Sequence, residues 1–139
     1  MFQLNMTQNF NVPIARLFEA WSNIDIIKTW FAPGNMTVPE ATAEVEVGGQ
    51  YRIVMQDEDG AQHIVGGQYK EISANEKLVF SWQWEGSPNT TLVTVLFKAI
   101  DEGTTELMLN HSEFIEEGFR DHHLKGWEGC LANLHKIED

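Results

Sequence analysis

The stretch Leu78-Val79-Phe80-Ser81-Trp82-Gln83-Trp84 decides how the rest of the chain is read. Successive side chains of an extended strand point to opposite faces, so Leu78, Phe80, Trp82 and Trp84 project from one side of a pleat. Four large apolar side chains on one face demand a cover. The cover is legible at the far end of the chain, where Leu124, Trp127, Leu131 and Leu134 recur at intervals of 3, 4 and 3, the repeat of one apolar helix face. Cys130 and Ile137 fall on its flank, and Glu116, Glu117, Arg120, Asp121, Lys125, Glu128 and Lys136 fall largely elsewhere. This pattern predicts a long amphipathic helix laid on a sheet, held by burial because local propensity alone supplies less.

Around the aromatic strand, from Thr37 to His111, short alternating runs are punctuated by glycine and acidic turn residues, as in an antiparallel meander. The predicted strands cover residues 37–46, 50–56, 62–73, 77–85, 90–101 and 104–111. Their turns fall at Gly48-Gly49, Asp57-Glu58-Asp59-Gly60, Asn75-Glu76, Gly86-Ser87-Pro88 and Glu102-Gly103. Before this region, Phe2, Leu4 and Met6 alternate with polar residues, which predicts a first strand to about Asn11. Pro13 then suits a first helical turn, and Ile14, Leu17, Phe18 and Trp21 follow at helical spacing. Ser22 and Asn23 are candidate caps for a second short helix carrying Ile26, Ile27 and Trp30, stopped by Pro33-Gly34. The order strand, two short helices, six strands, long helix predicts one α+β domain over residues 1–139.

Composition narrows the function classes. A chain of 139 residues with 9 Lys+Arg against 21 Asp+Glu carries a formal charge of −12, which opposes binding to nucleic acid or to an anionic membrane. One cysteine, Cys130, closes no intrachain disulfide and suits a reducing compartment. Met1 to Asn11 carries neither a basic leader nor a long apolar run, and no stretch reaches the ~20 apolar residues of a membrane span. A soluble, cytoplasmic protein, monomeric or weakly dimeric, is the expectation, and the Asn-x-Thr triplets at Asn5, Asn35 and Asn89 read as chance matches.

Particular residues add a resemblance. Val12-Pro13 with Leu17-Phe18-x-Ala20-Trp21, Trp30, Val47-Gly48-Gly49-x-Tyr51-Arg52 with Met55, and Gly67-x-Tyr69-x-Glu71-Ile72 occur in order. They are followed by Leu78-Val79-Phe80-x-Trp82, Gly103-Thr104-Thr105-Glu106-Leu107 with His111, and Gly126-Trp127 with Leu131 and Leu134. Over about 120 residues this set resembles the family of activators of the ninety-kilodalton heat-shock-protein ATPase, within the START-related, birch-pollen-allergen-like superfamily. The resemblance implies a helix-grip fold, a curved antiparallel sheet of about seven strands around the C-terminal helix, enclosing an elongated apolar cavity. It also implies several functions: lipid or small-molecule carriage, chaperone interaction, or cyclase-like or hydrolase-like chemistry. Fold analogy does not choose among them.

Candidate ligand-binding residues follow from strand parity, helical phase and these motifs. Trp82, Trp84, Tyr69, Tyr51 and Met55 form an aromatic and soft apolar set that suits a pocket wall or plain core. Trp30 closes the second helix, and Trp127 sits in the grip. His111 shares parity with Leu107 and Leu109, and His123 lies four residues before Trp127, so the two imidazoles are expected on the covered side, near a cavity mouth. Each reads either as a satisfied structural histidine or as a ligand-orienting group. No His pair has metal-ligand spacing, the acidic turn at Asp57 lacks the remaining positions of a calcium loop, and Gly48-Gly49 leads into a strand rather than a helix. No nucleophile motif occurs, so no metal, cofactor or catalytic residue is assigned. The expected function is holding an apolar, aromatic or lipid-like small molecule between sheet and helix. A co-chaperone-like domain or an enzyme using the same cavity is the alternative.

Overall fold

The computed structural model describes residues 1–138, and Asp139, the last residue of the expected domain, lies outside them. Seven strands, β1 (Phe2–Phe10), β2 (Thr37–Ala43), β3 (Gln50–Gln56), β4 (Gln62–Ser73), β5 (Lys77–Trp84), β6 (Thr91–Asp101) and β7 (Thr104–Phe114), form one sheet in the order β1-β7-β6-β5-β4-β3-β2. Every neighbouring pair is antiparallel. Helices α1 (Ile14–Ser22) and α2 (Ile24–Trp30) follow β1, and α3 (Glu117–Leu134) closes the chain with a 3-10 turn at His135–Glu138. The α+β helix-grip architecture read from the alternation and the two helical periods is the observed one.

Local chemistry sets the element ends. Pro13 stands just ahead of α1 rather than inside it, and its carbonyl accepts from the Arg16 and Leu17 N–H groups. Asn23 ends α1 and opens α2, its side chain accepting from the Asp25 N–H at 3.0 Å, whereas Ser22 stays in α1 and donates to the Phe18 carbonyl. β2 stops at Ala43, short of the expected residue 46, because Glu46 N–H turns back onto the Glu44 carbonyl. β7 runs three residues past His111. Glu113 there has φ 72°, and the β1–β7 register shifts between Phe2 and Leu4. This bulge reverses the alternation, so that both His111 and Phe114 point into the core.

The core lies between the inner sheet face and the three helices. Val93, Val95 and Phe97 of β6, Leu107 and Leu109 of β7, and Leu78, Phe80 and Trp82 of β5 are buried there. From α3, Trp127, Cys130, Leu131 and Leu134 are buried, and at about 1.5–3 kcal/mol for each large apolar side chain this seating outweighs the helix's own propensity. The helix packs on β1 and β7 and against α2. Toward β3, β4 and β5 it leaves a gap, and that gap is the candidate site.

Candidate functional site

The gap is a cleft of about 680 Å³, open to solvent on one side rather than sealed as a cavity. Its volume falls within the range of small-molecule sites. The sheet wall is Met55 of β3, His63 of β4, and Trp82 and Trp84 of β5; the opposite wall is α3, from Phe119 to Cys130; Pro33 and Met36, between α2 and β2, close one end. A smaller hollow of about 120 Å³ lies beside it, sharing Trp82, Trp84, Phe119 and His123 and bounded also by Thr91 and Phe114.

At the cleft, two indole–imidazole hydrogen bonds join the helix to the sheet, one in each direction. Trp84 on the sheet donates its indole N–H to Nε2 of His123 on α3 at 2.8 Å. Trp127 on α3 donates its indole N–H to Nδ1 of His111 on β7 at 3.0 Å. An indole nitrogen is a donor only, so these partners set both imidazole tautomers. His123 must carry its proton on Nδ1, which donates to the Phe119 carbonyl at 2.7 Å. His111 must carry its proton on Nε2, which donates to the Thr91 hydroxyl at 2.7 Å, and that hydroxyl donates onward to the Trp82 carbonyl at 3.3 Å. The two rings lie 5.3 Å apart, so the expected convergence occurs.

Both tautomers are neutral. Burial, with the adjacent His123 adding to it, lowers the His111 pKa to about 2. Burial lowers that of His123 as well, although its bond to the Phe119 carbonyl opposes the shift. Each lone pair is already spent on a tryptophan, so neither imidazole offers a free base to the cleft. Cys130, at the inner wall, is also unreactive, since burial pushes its thiol up to about 12. The Trp82 indole N–H is buried without an acceptor in the protein. Among the described residues, no group of three or more His, Cys, Asp or Glu is placed to hold a metal ion.

Of the nine residues expected at the site, Met55, Trp82, Trp84, His123 and Trp127 line the cleft, and His111 stands behind Trp127 as its acceptor. Three lie elsewhere. Tyr51 and Tyr69 border a space of about 20 Å³ in the packed core with Trp21, Ile27, Phe31, Ile53 and Phe80; Tyr51 also borders a separate polar hollow beside Gln68 and Ser81, and its hydroxyl donates to the Ser81 carbonyl at 2.6 Å. Tyr51 shares a face with Met55, but four residues of strand carry it about 13 Å away. Trp30 is sealed against Trp21, donating its N–H to the Ala20 carbonyl at 2.9 Å. Phe119, His122, Lys125 and Gly126 were not among the expected residues. The signal for Phe119, His122 and Gly126 is a second helical stripe, shared with His123 and Cys130, beside the core stripe, and Lys125 lies off it.

A seven-stranded antiparallel sheet gripping one long helix, with an apolar-walled cleft between them, defines a helix-grip protein of the START-like kind. Within that class the chain belongs to the family described as Activator of Hsp90 ATPase homolog 1-like protein, whose model matches residues 11–138. Solved structures agree on the fold. A family member from Silicibacter pomeroyi is 22% identical, with a TM-score of 0.87 and coverage of 98% of this chain and 96% of that one. A protein from Rhizobium leguminosarum is 25% identical, with a TM-score of 0.81 and coverage of 96% and 91%. CalU16 from Micromonospora echinospora is 20% identical, with a TM-score of 0.76 and coverage of 99% and 76%. No curated protein matches the sequence. Among the described residues, no helix is long and apolar enough to cross a membrane.

Proposed function

We propose that this protein holds an apolar small molecule in the cleft between α3 and strands β3–β5. The observation that carries the reading is the wall itself: three indoles, Trp82, Trp84 and Trp127, with Met55 and Met36, around about 680 Å³ of space that the core does not fill. Proteins of this family and fold often bind small hydrophobic ligands, which supports the same reading. His111 and His123, neutral and fully bonded, brace the two walls and offer no free base to the interior of the cleft, which favours holding over chemistry.

Burying about 300 Å² of apolar ligand surface supplies roughly 7 kcal/mol at about 25 cal/mol/Å². Association costs about 4 kcal/mol or more. That balance, about 3 kcal/mol, corresponds to a millimolar dissociation constant, and a ligand that buries about 450 Å² reaches the micromolar range on the same scale. Native mass spectrometry of freshly purified protein is expected to show a co-purifying small molecule, or, after its removal, saturable uptake of the neutral fluorophore N-phenyl-1-naphthylamine at one site per chain. Absence of both contradicts the proposal.

A further inference from the structure

Apart from the buried Cys130 thiol, the ionisable groups on the cleft wall are all nitrogen bases. His63, His122, His123 and Lys125 line it, and no carboxylate does, in a chain with 21 Asp+Glu against 9 Lys+Arg. The exclusion of acids runs against the composition of the whole protein. His63, His122 and Lys125 are exposed at the rim, while the three indoles and Met55 form the interior. Lys125 enters none of the ion pairs among the described residues. The nearby acids are engaged or turned away: Asp121, one helical turn earlier, bonds Arg120 at 2.7 Å, and Glu128, one turn later, is exposed and outside the cleft wall. Asp57 accepts from the Asp59 and Ala61 N–H groups at 3.0 Å and faces His63 at 3.4 Å.

We propose that the ligand of this cleft is an amphipathic monoanion, an apolar body lying against the indoles with one anionic group at the rim beside Lys125 and His122, on the helix side away from the His63–Asp57 pair. This inference rests on the binding function proposed above and specifies its ligand class. The charge belongs at the rim because the interior would strip its water without replacing it, whereas at the rim it keeps part of its hydration and gains a cation. The net charge of −12 repels an anion at long range, so any preference for one must come from this local set.

The test is a matched pair of fluorophores with one apolar skeleton, neutral N-phenyl-1-naphthylamine and anionic 1-anilinonaphthalene-8-sulfonate, titrated against the full chain, with mutual displacement to establish a shared site. The anionic probe is expected to bind about fivefold more tightly than the neutral one, the scale of a partly exposed ion pair. That ratio is expected to fall to near one in Lys125→Gln, to be retained in Lys125→Arg, and to collapse in about 1 M salt, where the screening length is about 3 Å. Saturable binding of the neutral probe with no anionic preference, or a preference that survives Lys125→Gln, overturns the monoanion inference and leaves the binding function standing. Failure of both probes to bind overturns the two together.

Discussion

At the scale of single residues, the site is organised by two donor-only indoles that dictate which nitrogen of each histidine holds the proton. Trp127→Phe keeps most of the ring and removes only the donor, leaving Nδ1 of the fully buried His111 unpaired. The expected cost is about 1–3 kcal/mol in urea unfolding. The freed lone pair should also raise the His111 pKa above the parent's, seen by following its imidazole resonances with pH; no change in either quantity would mean that the bond contributes nothing. The His111 shift has its own consequence for pH stability. Above about pH 6.5 the histidine is neutral in both folded and unfolded chains and imposes no penalty. As the pH falls through that value, the unfolded chain takes the proton and the folded one, with its pKa near 2, refuses it. Stability should therefore drop by up to about 1.4 kcal/mol per unit, or about 2 kcal/mol between pH 7 and pH 5, before most carboxylates titrate. His123 acts in the same direction. A urea midpoint unchanged over that interval would contradict the buried neutral state.

At the scale of elements, α3 carries two glycines with opposite meanings. At Gly129 an added Cβ would lie 2.7 Å from Pro33 Cβ, so the close approach of helix and loop depends on its absence, whereas at Gly126 nothing lies within 4 Å because the position faces the cleft. Gly126→Ala should stabilise the protein by up to about 1 kcal/mol through helix propensity. Gly129→Ala should destabilise it by about 1–3 kcal/mol through overpacking. Equal effects of the two in chemical denaturation would refute the helix placement. The same helix shows what sequence can convey. Strand alternation and the Leu124, Trp127, Leu131, Leu134 spacing carried the sheet, its helices and their order, because burial imposes those periods directly. The three residues of β7 beyond His111 were hidden, since the bulge at Glu113 reverses the parity on which the reading depends. Parity also reports a face but not a position along it, which is why Tyr51 and Tyr69 grouped with Met55 yet lie in the packed core. Pro33 and Met36 enter from a loop whose path no periodicity records.

At the scale of the whole molecule, the sheet is wider than one helix covers. α3 seats on β1 and β7, α1 and α2 fill part of the remainder, and the uncovered strip over β3–β5 remains as a tryptophan-walled cleft, braced by the Trp84–His123 bond. Filling the cleft without disturbing its walls isolates its role. Gly126→Phe adds a ring from a position with open space and replaces a poor helix former with a better one, so folding stability should be equal or greater. The direct measurement is a tryptophan-emission titration of parent and Gly126→Phe with N-phenyl-1-naphthylamine, beside urea unfolding of both. The expected result is one saturable site in the parent and at least about tenfold weaker binding in a variant that is no less stable, a tenfold loss being about 1.4 kcal/mol. Equal affinity in both proteins, or no saturable site in the parent, would contradict the claim that this cleft is where the protein binds its ligand.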